Sequence, residues 1–209
     1  GPMRSLEKSN RHFQKANKKL PLGVSSNFRY WVDDKTIYIK RGKGARIWDI
    51  DDNEYIDYRL GYGPAILGYA DERVDAAARE GMNVGGVFAL GTEVASRISR
   101  MVPAAELVRF SNSGTEAVMA ALRIARGHTG KDGHILVEGG YHGLFTEVLW
   151  YADVEDWDPK DGKPEVLPYC SGTPQIVKPL FHTVPLNDAN AAEEVLKKNH
   201  QNIGAFLIE

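Results

Sequence analysis

The sequence predicts an α/β fold in two parts: a small N-terminal α+β segment, then the first part of a large domain on a mixed, mostly parallel sheet. Short β-rich runs between Ile37 and Tyr58 are punctuated by turn residues, as in an antiparallel meander. After Pro103 the order becomes apolar strand, polar glycine turn, helix and strand, which opens a βαβ unit. With 209 residues, 43% of them hydrophobic, the chain can bury a real core.

Gly1-Pro2 ahead of Met3 reads as the scar of a cleaved tag, so residues 3–70 form the N-terminal segment and 71–209 the start of the large domain. Residues 5–20 mix Leu6, Phe13, Ala16 and Leu20 with many Lys, Asn and Gln, which predicts a mobile or partner-docked helix outside the core. The meander runs through Arg41-Gly42-Lys43-Gly44, Ile47-Trp48-Asp49-Ile50, the turn Asp51-Asp52-Asn53, and Tyr55-Ile56-Asp57-Tyr58. Gly61, Gly63, Pro64 and Gly68 make a bend, and helices follow near 71–82 and 92–102, the second with Thr92 placed to cap it.

Leu107-Val108-Arg109-Phe110 reads as a short strand, followed by the turn Ser111 to Glu116 and a helix with Val118, Ala121, Leu122 and Ala125 at helical spacing. Gly127 and Gly130 are expected to stop that helix, and His134 to Glu138 forms the next strand, ended by Gly139-Gly140-Tyr141-His142-Gly143. The Asp-, Pro- and Gly-rich stretch 151–182 reads as a surface excursion. Ala189 to Lys198 is a predicted helix and Ile203 to Glu209 a buried strand.

Charge narrows the partners. With 26 basic against 28 acidic residues, neither a nucleic-acid footprint nor a polybasic membrane surface is expected. No apolar run has the length of a membrane span, and the N-terminus lacks the charged-then-apolar pattern of a signal peptide. Cys170 is the single cysteine, which excludes an intrachain disulfide and a multi-cysteine zinc site; no metal is expected, and the expected compartment is the cytoplasm. A small-molecule partner fits best.

Two local motifs carry chemistry. Ser113-Gly114-Thr115 offers backbone N–H groups, two hydroxyls and the positive end of a helix, which together make an anion cradle. The same residues also read as an ordinary capping box, Ser113 answered by Glu116. They match neither the phosphate loop of nucleotide hydrolases nor the glycine fingerprint of dinucleotide folds. Tyr141-His142, between glycines at a strand end, could present a flat aromatic to a flat ligand, or could cap the core and satisfy a carbonyl.

Taken in order, Asn112-Ser113-Gly114-Thr115-Glu116-Ala117, Ala121-Leu122-Arg123, Ala125-Arg126 and Tyr141-His142-Gly143 resemble the pyridoxal-phosphate (PLP) site of the class III aminotransferases. Arg41-Gly42-Lys43-Gly44-Ala45, Trp48-Asp49, Asn53 to Tyr58 and Gly63-Pro64-Ala65-Ile66-Leu67-Gly68 are similar to the N-terminal region of the glutamate-1-semialdehyde 2,1-aminomutases within that family. The resemblance covers most of residues 20–150 and then 183–209. It implies a PLP-dependent transferase of fold type I, a homodimer in its complete form, that moves an amino group between an amino acid or amino aldehyde and a keto acid.

It also implies roles for residues. Ser113, Gly114 and Thr115 would hold the cofactor phosphate, Tyr141 would stack on the pyridine ring with His142 beside it, and Glu209 would close a strand near the cofactor. Gly23 to Arg29 resembles the segment in which a serine and an arginine approach the substrate, which places Ser26 and Arg29 there. Arg29 would fork a carboxylate, or else is a surface charge. Tyr62 stands where the aminomutases carry a tryptophan and Asn27 where they carry a proline, so the substrate stays open; Asp71-Glu72 replaces the usual His-Pro and reads as neutral surface change.

The resemblance places the Schiff-base lysine and the acidic partner of the pyridine nitrogen downstream of Glu209. Lys131, Lys160, Lys163 and Lys178 sit in polar sequence and are expected to be solvated. Stopping at Ile208-Glu209, inside an apolar strand, is expected of a fragment or of one polypeptide of a split enzyme. Besides an aminotransferase or aminomutase, two further functions stay open: a non-catalytic PLP or phosphate-ligand module, and a PLP racemase on the same scaffold.

Overall fold

The computed structural model describes residues 4–82, 89–153 and 164–209, and the chain divides into two compact units, Gly1–Thr92 and Glu93–Glu209.

The first unit begins with α1 (Glu7–Ala16). The sequence predicts this helix outside the core, yet Phe13 and Ala16 are buried, and a Cβ on Gly23 would lie 2.9 Å from the Phe13 ring. Leu6 provides no side-chain cap. Asp51 caps the helix instead, its carboxylate accepting the N–H groups of Lys8 (2.6 Å) and Ser9 (2.8 Å) and the Ser9 hydroxyl (2.6 Å). Polar composition misled because the docking contacts come from residues far along the chain.

The meander forms as predicted: β1 (Ile39–Lys43), β2 (Arg46–Asp49) and β3 (Glu54–Ile56) pair antiparallel in that order. Its second turn is built on Asp49, a fully buried carboxylate. Oδ1 accepts from Asp51 N and Asn53 N, both at 2.9 Å, while Oδ2 accepts from Asn53 Nδ2 (2.9 Å) and the Tyr55 hydroxyl (2.8 Å). The glycine bend closes onto the meander where Gly44 and Tyr69 exchange backbone hydrogen bonds at 2.9 Å. Gly68, at φ +81°, has no room for a Cβ there, since one would sit 3.0 Å from the Gly44 backbone.

Helix α2 (Glu72–Gly81) follows, and Asp71 is more than a neutral surface change: its side chain caps α2 at the N–H groups of Arg73 and Val74. The Arg73 guanidinium beside it brings the Asp71 carboxyl down to about 2. Helix α3 (Ala89–Met101) starts earlier than expected, so Thr92 lies within it rather than at its cap.

In the second unit the expected strand Leu107–Phe110 does not form. Leu107 is 94% exposed and Phe110 53%, and neither has a ladder partner among the described residues. An apolar run becomes a strand only where another strand pairs with it. Helix α4 (Gly114–Thr129) begins at Ser113 and ends at Gly130, which takes the left-handed conformation (φ 67°). Gly127 stays inside the helix, so Gly130 alone supplies the stop.

Strand β4 (Gly133–Val137) is the centre of a parallel sheet, flanked by β7 (Phe181–Val184) and β8 (Ile203–Leu207). Its neighbours Ile135 and Leu136 point to opposite faces. Leu136 packs with Leu122, Phe145, Val148, Trp150 and Phe181; Ile135 packs with Val184, Ile203 and Val195 of α5 (Ala189–Asn199). Cover on both faces is what a parallel sheet requires. The stretch predicted as a surface excursion carries an antiparallel ribbon, β5 (Trp150–Asp153) with β6 (Glu165–Pro168), and a 3₁₀ helix, Gln175–Leu180. Trp150 anchors it in the core, its ring 5.1 Å from that of Phe181. Polar composition averaged over the stretch concealed the buried Phe181 within it, and Trp150 stands just before it.

Among the lysines, Lys131 donates to the His200 carbonyl (2.7 Å) and Lys178 is half-buried in the 3₁₀ helix, so neither is simply solvated; Lys160 and Lys163 lie outside the described residues. No helix among the described residues is long and apolar enough to cross a membrane.

Candidate functional site

The second unit gathers its chemistry where α4 begins and β4 ends. The capping box is real: Ser113 Oγ accepts the Glu116 N–H (3.2 Å), and the Glu116 carboxylate turns back to accept from the Ser113 hydroxyl (3.2 Å) and the Asn112 N–H (3.1 Å). Capping does not exhaust the turn. The N–H groups of Gly114 and Thr115 have no intrahelical acceptor, as in any first turn, and none among the described residues. The anion cradle therefore rests on these two N–H groups and on Thr115, with the Ser113 hydroxyl engaged by the cap.

Thr115 faces the loop that ends β4. Its Oγ1 accepts the Leu144 N–H at 3.2 Å. The loop approaches so closely that a Cβ on Gly143, at φ +115°, would lie 2.7 Å from Thr115 Oγ1. One hydroxyl thus holds the loop in place and keeps its own proton to donate.

Tyr141 and His142 occupy the same loop. The Tyr141 N–H donates to Glu209 Oε2 at 2.9 Å, which ties the loop to the chain just beyond β8 and leaves the Tyr141 ring half exposed. Glu209 thus acts in the structure on the loop backbone. His142 Nε2 is buried with no hydrogen-bond partner among the described residues. Burial pushes the His142 imidazole below its ordinary value, and the Glu209 carboxylate only partly opposes this. An orphaned ring nitrogen beside an exposed aromatic, a free hydroxyl proton and unpaired helix N–H groups fits a flat, phosphorylated, polar-edged ligand. Gly143 and Leu144, which shape the loop from outside the predicted site residues, were signalled only by the glycine after Tyr-His.

The first unit holds a separate cavity of about 580 Å³, lined among others by Arg29, Trp31, Asp57, Arg59, Tyr62 and Tyr69. Arg29 ends a 3₁₀ turn (Asn27–Arg29), and its guanidinium lies 5.6 Å from the centre of the Tyr62 ring. Tyr62 sits at φ 68°, rare for a residue with a side chain. Ser25 lines the cavity, whereas Ser26 precedes the 3₁₀ turn and offers its carbonyl to the Arg29 N–H (2.9 Å). Of the three predicted substrate residues, the cavity therefore brings Arg29 and Tyr62 together and leaves Ser26 outside its lining.

A model of the class III aminotransferase family matches residues 28–209. Glutamate-1-semialdehyde 2,1-aminomutase of Persephonella marina is 38% identical over 211 residues, covering 98% of this chain and 48% of that protein. Among solved structures, an omega-transaminase from Sphaerobacter thermophilus is 32% identical with a TM-score of 0.82, over 95% of this chain and 46% of the other. A transaminase with PLP bound is 29% identical, also with a TM-score of 0.82, over 100% of this chain and 48% of the other. The chain spans about half the length of these relatives.

Proposed function

Because the chain belongs to the class III aminotransferase family, we propose that it forms the cofactor-binding part of a PLP enzyme that moves an amino group between an amino acid or amino aldehyde and a keto acceptor. The observation that carries the reading is the convergence of unpaired N–H groups at Gly114 and Thr115, the Thr115 hydroxyl and the Tyr141-His142 loop at the start of one helix. The resemblance to a transaminase with PLP bound supports it.

In this reading the Gly114 and Thr115 N–H groups and the Thr115 hydroxyl hold the phosphate, aided by the positive end of α4, and Ser113 serves by capping the helix that presents them. Tyr141 offers its exposed ring to the cofactor face, and the neutral His142 imidazole gains a partner for Nε2. Glu209 fixes the Tyr141 backbone so that the ring's position is set before the cofactor arrives. When bound, PLP supplies the electron sink for amine chemistry. Arg29 and Tyr62 contribute the substrate side, Arg29 as the fork for a carboxylate. A lysine beyond Glu209 supplies the covalent link, and the complete protein is a cytoplasmic homodimer.

The test is made on the full-length protein. PLP uptake with a visible absorption band that borohydride reduction removes, followed by amine transfer to a keto acid, is the expected result. Protein that stays colourless and retains no PLP overturns the reading. PLP retained without that band identifies a non-catalytic module, and the band without amine transfer, where a chiral amine loses its handedness, identifies a racemase.

A further inference from the structure

The cavity of the first unit contains a second arginine that nothing above assigns. Arg59 Nη1 donates to the Phe28 carbonyl (2.9 Å) and to the Tyr62 hydroxyl (2.8 Å), and that hydroxyl donates to the same Phe28 carbonyl (2.7 Å). The three groups close a triangle. The Arg59 guanidinium also lies 5.0 Å from the centre of the Trp31 ring and 5.1 Å from that of Tyr62, while the Phe28 and Tyr62 rings meet edge to face at 5.9 Å.

Geometry explains what the triangle does. Tyr62 holds a left-handed backbone (φ 68°) within a run that includes Leu60 at φ 52°, Gly61 at φ 62° and Gly63 at φ 110°. Such a backbone persists only where its surroundings over-determine it. Phe28 precedes Arg29 in the 3₁₀ turn, so a bond to the Phe28 carbonyl restrains the segment that carries Arg29. The Arg29 guanidinium lies on the ring that the triangle immobilises.

We propose that Arg59 is a positioning residue of the substrate cavity, locking Tyr62 to the Phe28 carbonyl and so fixing the aromatic wall against which Arg29 meets a carboxylate. The proposal rests on the reading of Arg29 as the carboxylate fork. Lysine cannot replace Arg59, because a single ammonium lacks the planar face that lies against Trp31 and Tyr62 while donating twice.

The experiment titrates the full-length protein calorimetrically with 3-phenylpropanoate and with its uncharged counterpart 3-phenylpropanamide. Wild type is expected to prefer the carboxylate, and Arg29→Gln to lose that preference. Arg59→Gln is expected to weaken carboxylate binding roughly tenfold with amide binding little changed, the loss of one or two engaged hydrogen bonds. Tyr62→Phe, which breaks the triangle without altering charge, should reproduce most of the effect, and the double variant should add little. It also serves if Arg59→Gln fails to fold. Carboxylate preference intact in Arg59→Gln, both probes weakened alike, or Tyr62→Phe without effect overturns the positioning role while Arg29→Gln still reports on the fork. Wild type without carboxylate preference overturns the fork and the positioning role together.

Discussion

Gly143 and Thr115 are in such close approach that a Cβ on the glycine would lie 2.7 Å from Oγ1 of the threonine and 2.8 Å from its Cα. Backbone cannot yield as a flexible side chain can, and φ at Gly143 is +115°. Gly143→Ala should therefore destabilise the protein by about 1–3 kcal/mol. It should also displace Leu144 from the Thr115 hydroxyl. Urea denaturation measures the first effect and PLP retention on gel filtration the second.

Thr115 can be separated into shape and hydroxyl. Thr115→Val keeps the volume but removes the acceptor for the Leu144 N–H and the proton available to a phosphate oxygen. PLP affinity in the full-length protein should fall roughly tenfold, and Thr115→Ser should recover most of it. Fluorescence titration with PLP measures both. Equal affinity in Thr115→Val and wild type would place the phosphate elsewhere.

Asp49 is the organiser of the meander. Its buried carboxylate accepts four hydrogen bonds, so Asp49→Ala takes the acceptor from the Asp51 and Asn53 N–H groups and the Tyr55 hydroxyl, while Asn53 Nδ2 keeps the Ser5 carbonyl. A loss of about 2–4 kcal/mol is expected. The damage should be confined to the first unit, which hydrogen exchange can show as faster exchange across residues 39–56 with β4 unchanged.

His134 makes stability pH-dependent. The ring is fully buried, Nε2 faces the Glu147 carbonyl at 3.0 Å, and Nδ1 has no partner among the described residues. Burial depresses its pKa, the Glu147 carbonyl works against this, and the charges of Arg126 and His182 add to the depression while the Glu147 carboxylate opposes it. Because the folded value lies below the ordinary 6.5, the unfolded chain binds the proton more readily. Stability is thus full above that pH and falls as the pH drops through and below it. Urea midpoints at about pH 7.5 and 5.5 should differ, and His134→Gln should narrow the difference. His142 has the same sign, so some slope should remain.

Local physics made much of this protein legible. The meander follows from turn residues between short β-rich runs, α4 from Ser113, Glu116 and apolar spacing, and its end from Gly130. The capping box at Ser113 to Glu116 was readable because its residues are contiguous, and so was the glycine-flanked loop Tyr141 to Gly143 that ends β4. Leu107–Phe110 misled because strand propensity says nothing about whether a pairing partner exists.

By itself, then, the sequence determined the family and the elements that rest on neighbours a few residues apart. Only the tertiary structure decided which distant side chains hold the elements and loops in place. Asp51 caps α1 from 42 residues away, Glu209 fixes the Tyr141 backbone across 68, and Arg59 reaches the Phe28 carbonyl across 31. The physical reason is that a hydrogen bond depends on distance and direction in space, and a carboxylate or guanidinium in sequence carries no sign of which distant backbone group it will meet.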